Sequence, residues 1–178
     1  IEDSRFYEHP GIDPIGILRA GVVWLTTGQM RQGASTITQQ VARNFFLSRE
    51  KTLMRKVKEV FLAWHIEKEL SKDEILELYL NKIPLGYRAF GVGAAAQVYY
   101  GKRVDQLTLG EMAVIAGLPK APSLLNPIRS PQRAQARRNV VLGRMLELGK
   151  ITREQYENAK NEPIATRYHG ADIMLNAA

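Results

Sequence analysis

The chain has 178 residues, 45% of them hydrophobic and 24% charged, which is ordinary for a single folded domain. Collagen-like, low-complexity and fully disordered chains are therefore excluded. The absence of cysteine also excludes disulfides, thiol nucleophiles and thiolate metal sites. The net charge is +7, from 25 Lys and Arg against 18 Asp and Glu, and it favours an anionic partner: nucleic acid, an acidic membrane face or a phosphorylated substrate.

Signals that start helices are frequent along the chain, and signals for strands are scarce. A proline follows Asp13 at the start of the first apolar repeat, and Gly28 ends that repeat. Capping-box spacing recurs at Thr36, Ser71, Thr108 and Thr152, each with Glu or Gln three residues later. These signals predict eight helices and a mostly α domain, over residues 14–27, 36–47, 52–70, 71–81, 93–101, 108–117, 131–148 and 152–160.

Helical spacing indicates an apolar face on the third helix and another at the end of the first helix. In the third helix, the spacing predicts a core-facing stripe of Leu53, Val57, Val60, Phe61 and Trp64. The end of the first helix, at Trp24 and Leu25, is either core or a patch that dips into a membrane interface.

No stretch reaches the roughly 18 to 20 apolar residues of a spanning helix. The chain also has no initiator Met and no signal peptide. We therefore expect a piece of a longer protein, with a membrane anchor outside this sequence.

The first twelve residues concentrate polar groups that could do chemistry. They include Glu2 and Asp3, followed by Arg5 and His9. One interpretation is a solvated N-terminal segment, and the other is a carboxylate that acts as general base while Arg and His hold it. His9 lacks a second ligand at metal-binding spacing, so a structural role is favoured over a metal site.

A polar turn from Gly33 to Gln40 leads into the second helix. It is either simple capping or an anion site at a helix N-terminus, where exposed N–H groups favour negative charge. The turn lacks the Lys-Ser/Thr of a Walker loop, which argues against a nucleoside triphosphate. On the helix that follows, Thr36, Gln40 and Arg43 share one polar face.

A cationic stripe lies on the side of the third helix that is opposite its apolar stripe. Helical spacing brings Arg55 and Lys56 within reach of Glu59, and Lys51 precedes them. The stripe is either an ion-paired solvent face or a grip on phosphate oxygens, with Glu59 orienting the cations or a metal.

A second basic region spans residues 129–153, where seven Lys and Arg oppose only Glu147. The aromatic residues that interleave in nucleic-acid-binding surfaces are absent. We therefore expect no nucleic-acid partner, and the region is interpreted as a solvated surface or one facing lipid headgroups.

Taken in order, these segments resemble the glycosyltransferase domain of peptidoglycan polymerases (glycosyltransferase family 51). This domain occurs in bifunctional class A penicillin-binding proteins and in monofunctional transglycosylases. The resemblance covers residue 1 to about residue 160. The matching positions are Glu2, Asp3, Phe6, His9 and Gly11; Gly33, Ser35, Thr36, Ile37, Thr38, Gln39 and Gln40; Arg55, Lys56 and Glu59; Ile75, Leu76, Glu77, Tyr79, Leu80 and Asn81; and Gly91–Ala96 with Tyr99–Gly101. One small departure is Pro84, where the family often has an aromatic or aliphatic residue.

The resemblance implies a lysozyme-like, two-lobed helical domain with a small membrane-facing lobe. It also implies polymerisation of lipid II into glycan strands, in which a sugar 4-hydroxyl displaces undecaprenyl pyrophosphate with inversion. By this resemblance Glu2 is the general base, and Glu59 is the second essential carboxylate, with a divalent cation such as Mg²⁺ as a candidate cofactor. The implied substrate-binding residues are Asp3, Phe6, His9, Ser35, Thr36, Gln39, Gln40, Arg43, Lys51, Arg55, Lys56 and Asn81.

The resemblance also sets expectations for the parent protein. Residues 1–161 are expected to form the glycosyltransferase domain, and residues 162–178 to begin a linker toward a transpeptidase domain. The expected partners are lipid II, the growing lipid-linked glycan and the membrane surface, at the outer face of the bacterial cytoplasmic membrane. The alternative is a lysozyme-like enzyme that cleaves glycan, although such an enzyme has no need of a phosphate grip.

Overall fold

A computed structural model describes residues 1–29, 33–48 and 52–170. Within these ranges the chain forms eight α-helices and no strand beyond a single bridge between Pro84 and Phe90. The mostly α prediction is therefore confirmed. The helices are α1 (Pro14–Thr27), α2 (Ile37–Phe46), α3 (Leu53–Glu69), α4 (Lys72–Lys82), α5 (Val92–Tyr100), α6 (Leu109–Gly117), α7 (Pro131–Glu147) and α8 (Arg153–Asn161).

The caps explain why the helices start where the sequence predicts. The hydroxyls of Thr36, Thr108 and Thr152 each accept a hydrogen bond from the backbone N–H three residues later, and the matching Gln or Glu reaches back. At α1 the Asp13 side chain makes no capping bond, and the start rests on Pro14. Gly28 ends α1 with a φ of 66°, a conformation that favours glycine.

The chain divides into two compact units, and the boundary falls near the end of α4. The first unit, Glu2–Leu80, contains α1 to α3 and most of α4. In this unit α2 packs against α3, and the core includes Phe6, Val41, Ala63 and Ile75.

The second unit begins at Asn81 and is built around α6, α7 and α8. A buried cluster of Ala113, Val141, Leu142, Ile151 and Ala159 joins these three helices. Arg138 of α7 is only 1% exposed, because its guanidinium donates to the backbone carbonyls of Lys160 (2.7 Å) and Glu162 (2.5 Å) at the end of α8. One cation of the 129–153 region is thus a buried structural group.

The prediction of a core-facing stripe on α3 is wrong. Leu53 is 84% exposed, Phe61 64% and Trp64 51%, whereas the buried residues of α3 are Glu59, Ala63 and Ile66. Helical periodicity identifies which face is apolar, but it does not show what covers that face. The buried face of α3 carries small Ala63, Ile66 and a carboxylate with a paired charge, whereas the large apolar side chains lie outside.

The apolar side chains of α1 are exposed as well. None of the residues of this helix is buried, and Leu18, Trp24 and Leu25 are 69%, 53% and 77% exposed. The core interpretation of Trp24 and Leu25 is therefore wrong for the described residues. No helix of the described ranges is long and apolar enough to cross a membrane.

Candidate active site

Asp3 fixes the segment that carries the predicted general base. Its side chain is 3% exposed, and Oδ2 lies 2.7 Å from Nε2 of His9 and accepts the backbone N–H of Ile37 at 3.1 Å. The Gly11 N–H donates to Nδ1 of His9 at 3.1 Å, so the proton of a neutral ring lies on Nε2 and is donated to Asp3. Glu2, directly before Asp3, is half-buried. The catalytic candidate is thus attached to an anchored neighbour.

The second motif is tied to the same segment through Thr36. The Thr36 hydroxyl donates to the carbonyl of Gly11 at 2.6 Å and accepts from the Gln39 N–H at 3.1 Å. The Gln39 side chain returns a bond to the Thr36 N–H at 2.8 Å. Thr36 and Gln39 therefore act as a capping box, and the first N–H of α2 is taken by Asp3. A carboxylate of the protein itself occupies this helix N-terminus, for which the sequence leaves open either capping or an anion site.

Lys56 joins the second and third motifs. Its ammonium donates to Oγ of Ser35 at 2.7 Å and to Oε1 of Glu59 at 2.9 Å. Glu59 is fully buried, while the Lys56 side chain is 44% exposed. The ammonium is therefore held from the inside by a carboxylate and a hydroxyl and still faces solvent on its other side. Such a fixed cation suits an anionic oxygen of a ligand.

The second carboxylate oxygen of Glu59, Oε2, is buried and has no hydrogen-bond partner among the described residues. Buried carboxylate oxygens are ordinarily hydrogen-bonded, so this one is exceptional. Arg55, half-buried one turn earlier on α3, belongs to the same helix face.

A further network below the first segment was missed by sequence reasoning. Lys72 donates to the carbonyl of His9 and to Oε1 of Glu67, both at 2.6 Å, and its ammonium lies 4.6 Å from the centroid of the Phe6 ring. The Thr38 hydroxyl donates to the same Glu67 oxygen at 2.6 Å. The one sequence feature that points to this network is the spacing of Lys72, Ile75 and Tyr79, which places them on one face of α4.

Tyr79 is a buried residue of α4 whose phenol is affected by charged groups of the same unit. The residue is 5% exposed. Burial raises the pKa of its phenol, the Glu2 and Asp3 carboxylates raise it further, and the Arg43 guanidinium opposes them. Arg43 and Glu2 therefore both act on one buried hydroxyl.

The first unit gathers most of the predicted site residues. Phe6 and His9 are buried in it, and Gln40 and Arg43 are half-buried on α2. Lys51 lies outside the described residues. Asn81 is exposed at the end of α4 and is grouped with the second unit, where its backbone approaches Gly91 so closely that any Cβ at Gly91 would clash. Contact of these residues with substrate stays a prediction.

The described residues of this site do not form a metal-binding site by themselves. Within the described ranges, no group of three or more His, Asp or Glu side chains is arranged to hold a metal ion. One oxygen of Glu59, the candidate ligand, is already paired with the Lys56 ammonium. The other oxygen, Oε2, is a single donor atom, so the described residues alone do not complete the coordination shell of a divalent cation.

Residues 1–146 match the transglycosylase family. The chain belongs to the transglycosylase family. It is 69% identical over 176 residues to penicillin-binding protein 1A of Escherichia coli, a match that covers 99% of this chain and 21% of that protein. A protein of Cupriavidus necator that is named as a transglycosylase is 60% identical over 94% of this chain and 72% of its own length.

Solved structures agree with this membership. The crystal structure of penicillin-binding protein 1A from Haemophilus influenzae matches with a TM-score of 0.53 and 45% identity, over 74% of this chain and 16% of that one. The expected lysozyme-like fold class and the expected enzyme class, a peptidoglycan glycosyltransferase domain, are thereby confirmed. The chain spans about one fifth of the length of the penicillin-binding protein 1A relatives that it matches.

Proposed function

We propose that this transglycosylase domain polymerises lipid II, with Glu2 as general base and the Lys56–Glu59 pair at the leaving pyrophosphate. A sugar hydroxyl is a weak nucleophile, so a base must remove its proton as the hydroxyl attacks the anomeric carbon. The bond to the pyrophosphate oxygen breaks in the same step, and the anomeric centre inverts. The electron pair leaves with undecaprenyl pyrophosphate.

The position of Glu2 supports its role as the base. The neighbouring Asp3 is held by His9 and by the N–H of Ile37, which limits the conformations open to Glu2. A half-buried carboxylate remains accessible to a substrate hydroxyl while its backbone is fixed. Positioning of this kind lowers the entropy cost of bringing base and hydroxyl together.

The observation that carries the proposal is the Lys56 ammonium, fixed between Ser35 and the fully buried Glu59. A pyrophosphate leaving group gains negative charge in the transition state, and cations that are already in place stabilise that charge. Arg43, Lys51 and Arg55 are proposed as further cations, with Gln39 and Gln40 as neighbouring polar groups. Glu59 orients Lys56 in this account and does not donate a proton.

The parent protein is proposed to work at the outer face of the bacterial cytoplasmic membrane. Lipid II is a membrane-bound substrate, and the apolar faces of α1 and α3 support contact with the bilayer. The relatives named penicillin-binding protein 1A are about five times as long as the match, which supports further domains in the parent, among them a transpeptidase. Residues 162–178 are proposed to lead toward it.

Purified lipid II tests the proposal directly. The full-length protein should convert it into glycan polymer, with and without divalent metal, and should leave preformed glycan strands at their original length. Shortening of preformed strands without any polymer from lipid II would instead establish the glycan-cleaving alternative.

A further inference from the structure

Tyr79 carries a buried hydroxyl that the proposed mechanism does not use. The residue is 5% exposed, and its hydroxyl has no hydrogen-bond partner among the residues that the structure describes. Buried tyrosine hydroxyls ordinarily find a partner. Tyr99, in the second unit, follows that rule: its hydroxyl donates to the Leu85 carbonyl at 2.6 Å and accepts from Asn126 at 3.0 Å.

The charges that act on the Tyr79 hydroxyl include those of the proposed reaction. The Glu2 carboxylate raises the pKa of the phenol, as does Asp3, and the Arg43 guanidinium lowers it. With burial as the largest cause, the pKa lies well above its ordinary value, so the hydroxyl keeps its proton at neutral pH. It is therefore a hydrogen-bond donor within the electrostatic reach of both the general base and a cation.

The backbone of α4 holds this donor in place. Ile75, one turn earlier, is fully buried, and Lys72, two turns earlier, is bonded to the His9 carbonyl. These residues and Tyr79 lie on one face of the helix. The helix that anchors the Glu2 segment therefore also fixes the tyrosine, which limits its freedom to find another protein partner.

We propose that the Tyr79 hydroxyl donates its hydrogen bond to an oxygen of the bound lipid-linked saccharide. Within the described ranges this donor has no acceptor, and in this proposal the substrate supplies one. Tyr79, which lies in the fourth of the family motifs, is thereby assigned a contact with substrate. The inference rests on the proposed glycosyl transfer at Glu2.

The Tyr79→Phe variant of the full-length protein separates this role from a structural one. Because the hydroxyl bonds to none of the residues that the structure describes, the melting temperature of the variant in the absence of substrate should equal or exceed that of the wild type. With lipid II, kcat/KM should fall about ten-fold or more, as expected when one hydrogen bond to a charged or reacting group is removed. Tyr99→Phe is the matched control: it should lower the melting temperature and leave kcat/KM of the folded protein unchanged.

A binding measurement keeps the test independent of turnover. In the Glu2→Gln background, where turnover is strongly slowed, addition of Tyr79→Phe should weaken lipid II binding several-fold. If the wild type binds lipid II without polymerising it, the proposed function fails while this comparison still tests the tyrosine. The inference is overturned if Tyr79→Phe lowers the melting temperature as much as Tyr99→Phe does. It is equally overturned if both kcat/KM and lipid II binding stay within two-fold of their reference proteins.

Discussion

Glu59 carries a carboxylate and is nevertheless fully buried, and Lys56 is the cation that compensates its charge. Burying an unpaired carboxylate is costly, because it loses its hydration without gaining an opposite charge. Because the Lys56 side chain is partly exposed, the cation of this pair is accessible to a ligand. A single residue thus links the stability of α3 to the proposed pyrophosphate site.

Replacing Lys56 by Met should therefore reduce stability as well as activity. With Glu59 left alone, the free energy of unfolding should fall by about 1–3 kcal/mol, less than for a fully buried pair because Lys56 is partly exposed. Urea denaturation measures this change. Lys58→Met, at an exposed position of the same helix, is the control and should stay within about 0.5 kcal/mol of the wild type. Equal effects of the two substitutions would contradict the role given to Lys56.

At the scale of elements, α4 acts as a platform for the N-terminal segment. Lys72 at its first turn bonds the carbonyl of His9, and Glu67 near the end of α3 accepts from both Lys72 and Thr38. The segment with the proposed base is thus held by contacts from α2, α3 and α4. Contacts that are far apart in sequence determine its geometry, and for that reason local patterns did not reveal Lys72.

Lys72→Met should loosen this platform. We expect a loss of about 1–3 kcal/mol in unfolding free energy, since the Glu67 carboxylate and the His9 carbonyl lose a donor. We also expect a lower kcat with lipid II, because Glu2 is less well positioned. Lys68→Met, which removes an exposed ammonium 3.9 Å from the Trp64 ring centroid, should cost about 1 kcal/mol or less and leave kcat unchanged. A Lys72 variant with wild-type kcat would show that α4 does not position the segment.

The apolar faces of α1 and α3 are exposed and do not pack into the core. Leu25 and Phe61 are 77% and 64% exposed, so their side chains contribute little to the core. Exposed apolar faces mark surfaces that are covered by a partner or a membrane. The proposed bilayer contact gives these side chains a role that packing does not.

Polar substitution of Leu25 and Phe61 should separate membrane binding from folding. The double variant Leu25→Asn, Phe61→Gln should lose binding to anionic phospholipid vesicles in a flotation assay, because the apolar area that enters the interface is reduced. Its free energy of unfolding should change by less than about 1 kcal/mol. Ile75→Ala, in the core, should instead cost about 2–5 kcal/mol and leave vesicle binding of the folded protein intact. Unchanged flotation of the double variant would refute the bilayer contact.

At the scale of the whole molecule, the helices were predictable because their ends are locally encoded. The capping pairs at Thr36, Thr108 and Thr152 form as their spacing predicts, and Gly28 and Gly101 end helices in the left-handed conformation. Local sequence signals predict where a helix begins and ends, but they do not predict what covers each face of the helix.

The environment of α3 and the partners of the site residues follow from tertiary contacts. An exposed apolar face has the same periodicity as one that meets a core, so the spacing identifies the stripe beginning at Leu53 but does not show that it is exposed. Motif spacing identified Glu2, Ser35 and Glu59, but it could not reveal that Lys56 bridges the last two. It also gave no indication that the hydroxyl of Tyr79 is buried without a hydrogen-bond partner in the part of the chain that the structure describes.

The rate of lipid II polymerisation by Glu2→Gln tests the central claim most directly. The substitution keeps size and hydrogen-bonding capacity but removes the base, so the rate should fall by about 100- to 10,000-fold at an unchanged melting temperature. Glu8→Gln, at an exposed position of the same segment that pairs with Arg5 at 3.0 Å, should polymerise at the wild-type rate. Polymerisation by folded Glu2→Gln at a rate near that of the wild type would contradict the assignment of Glu2 as the general base.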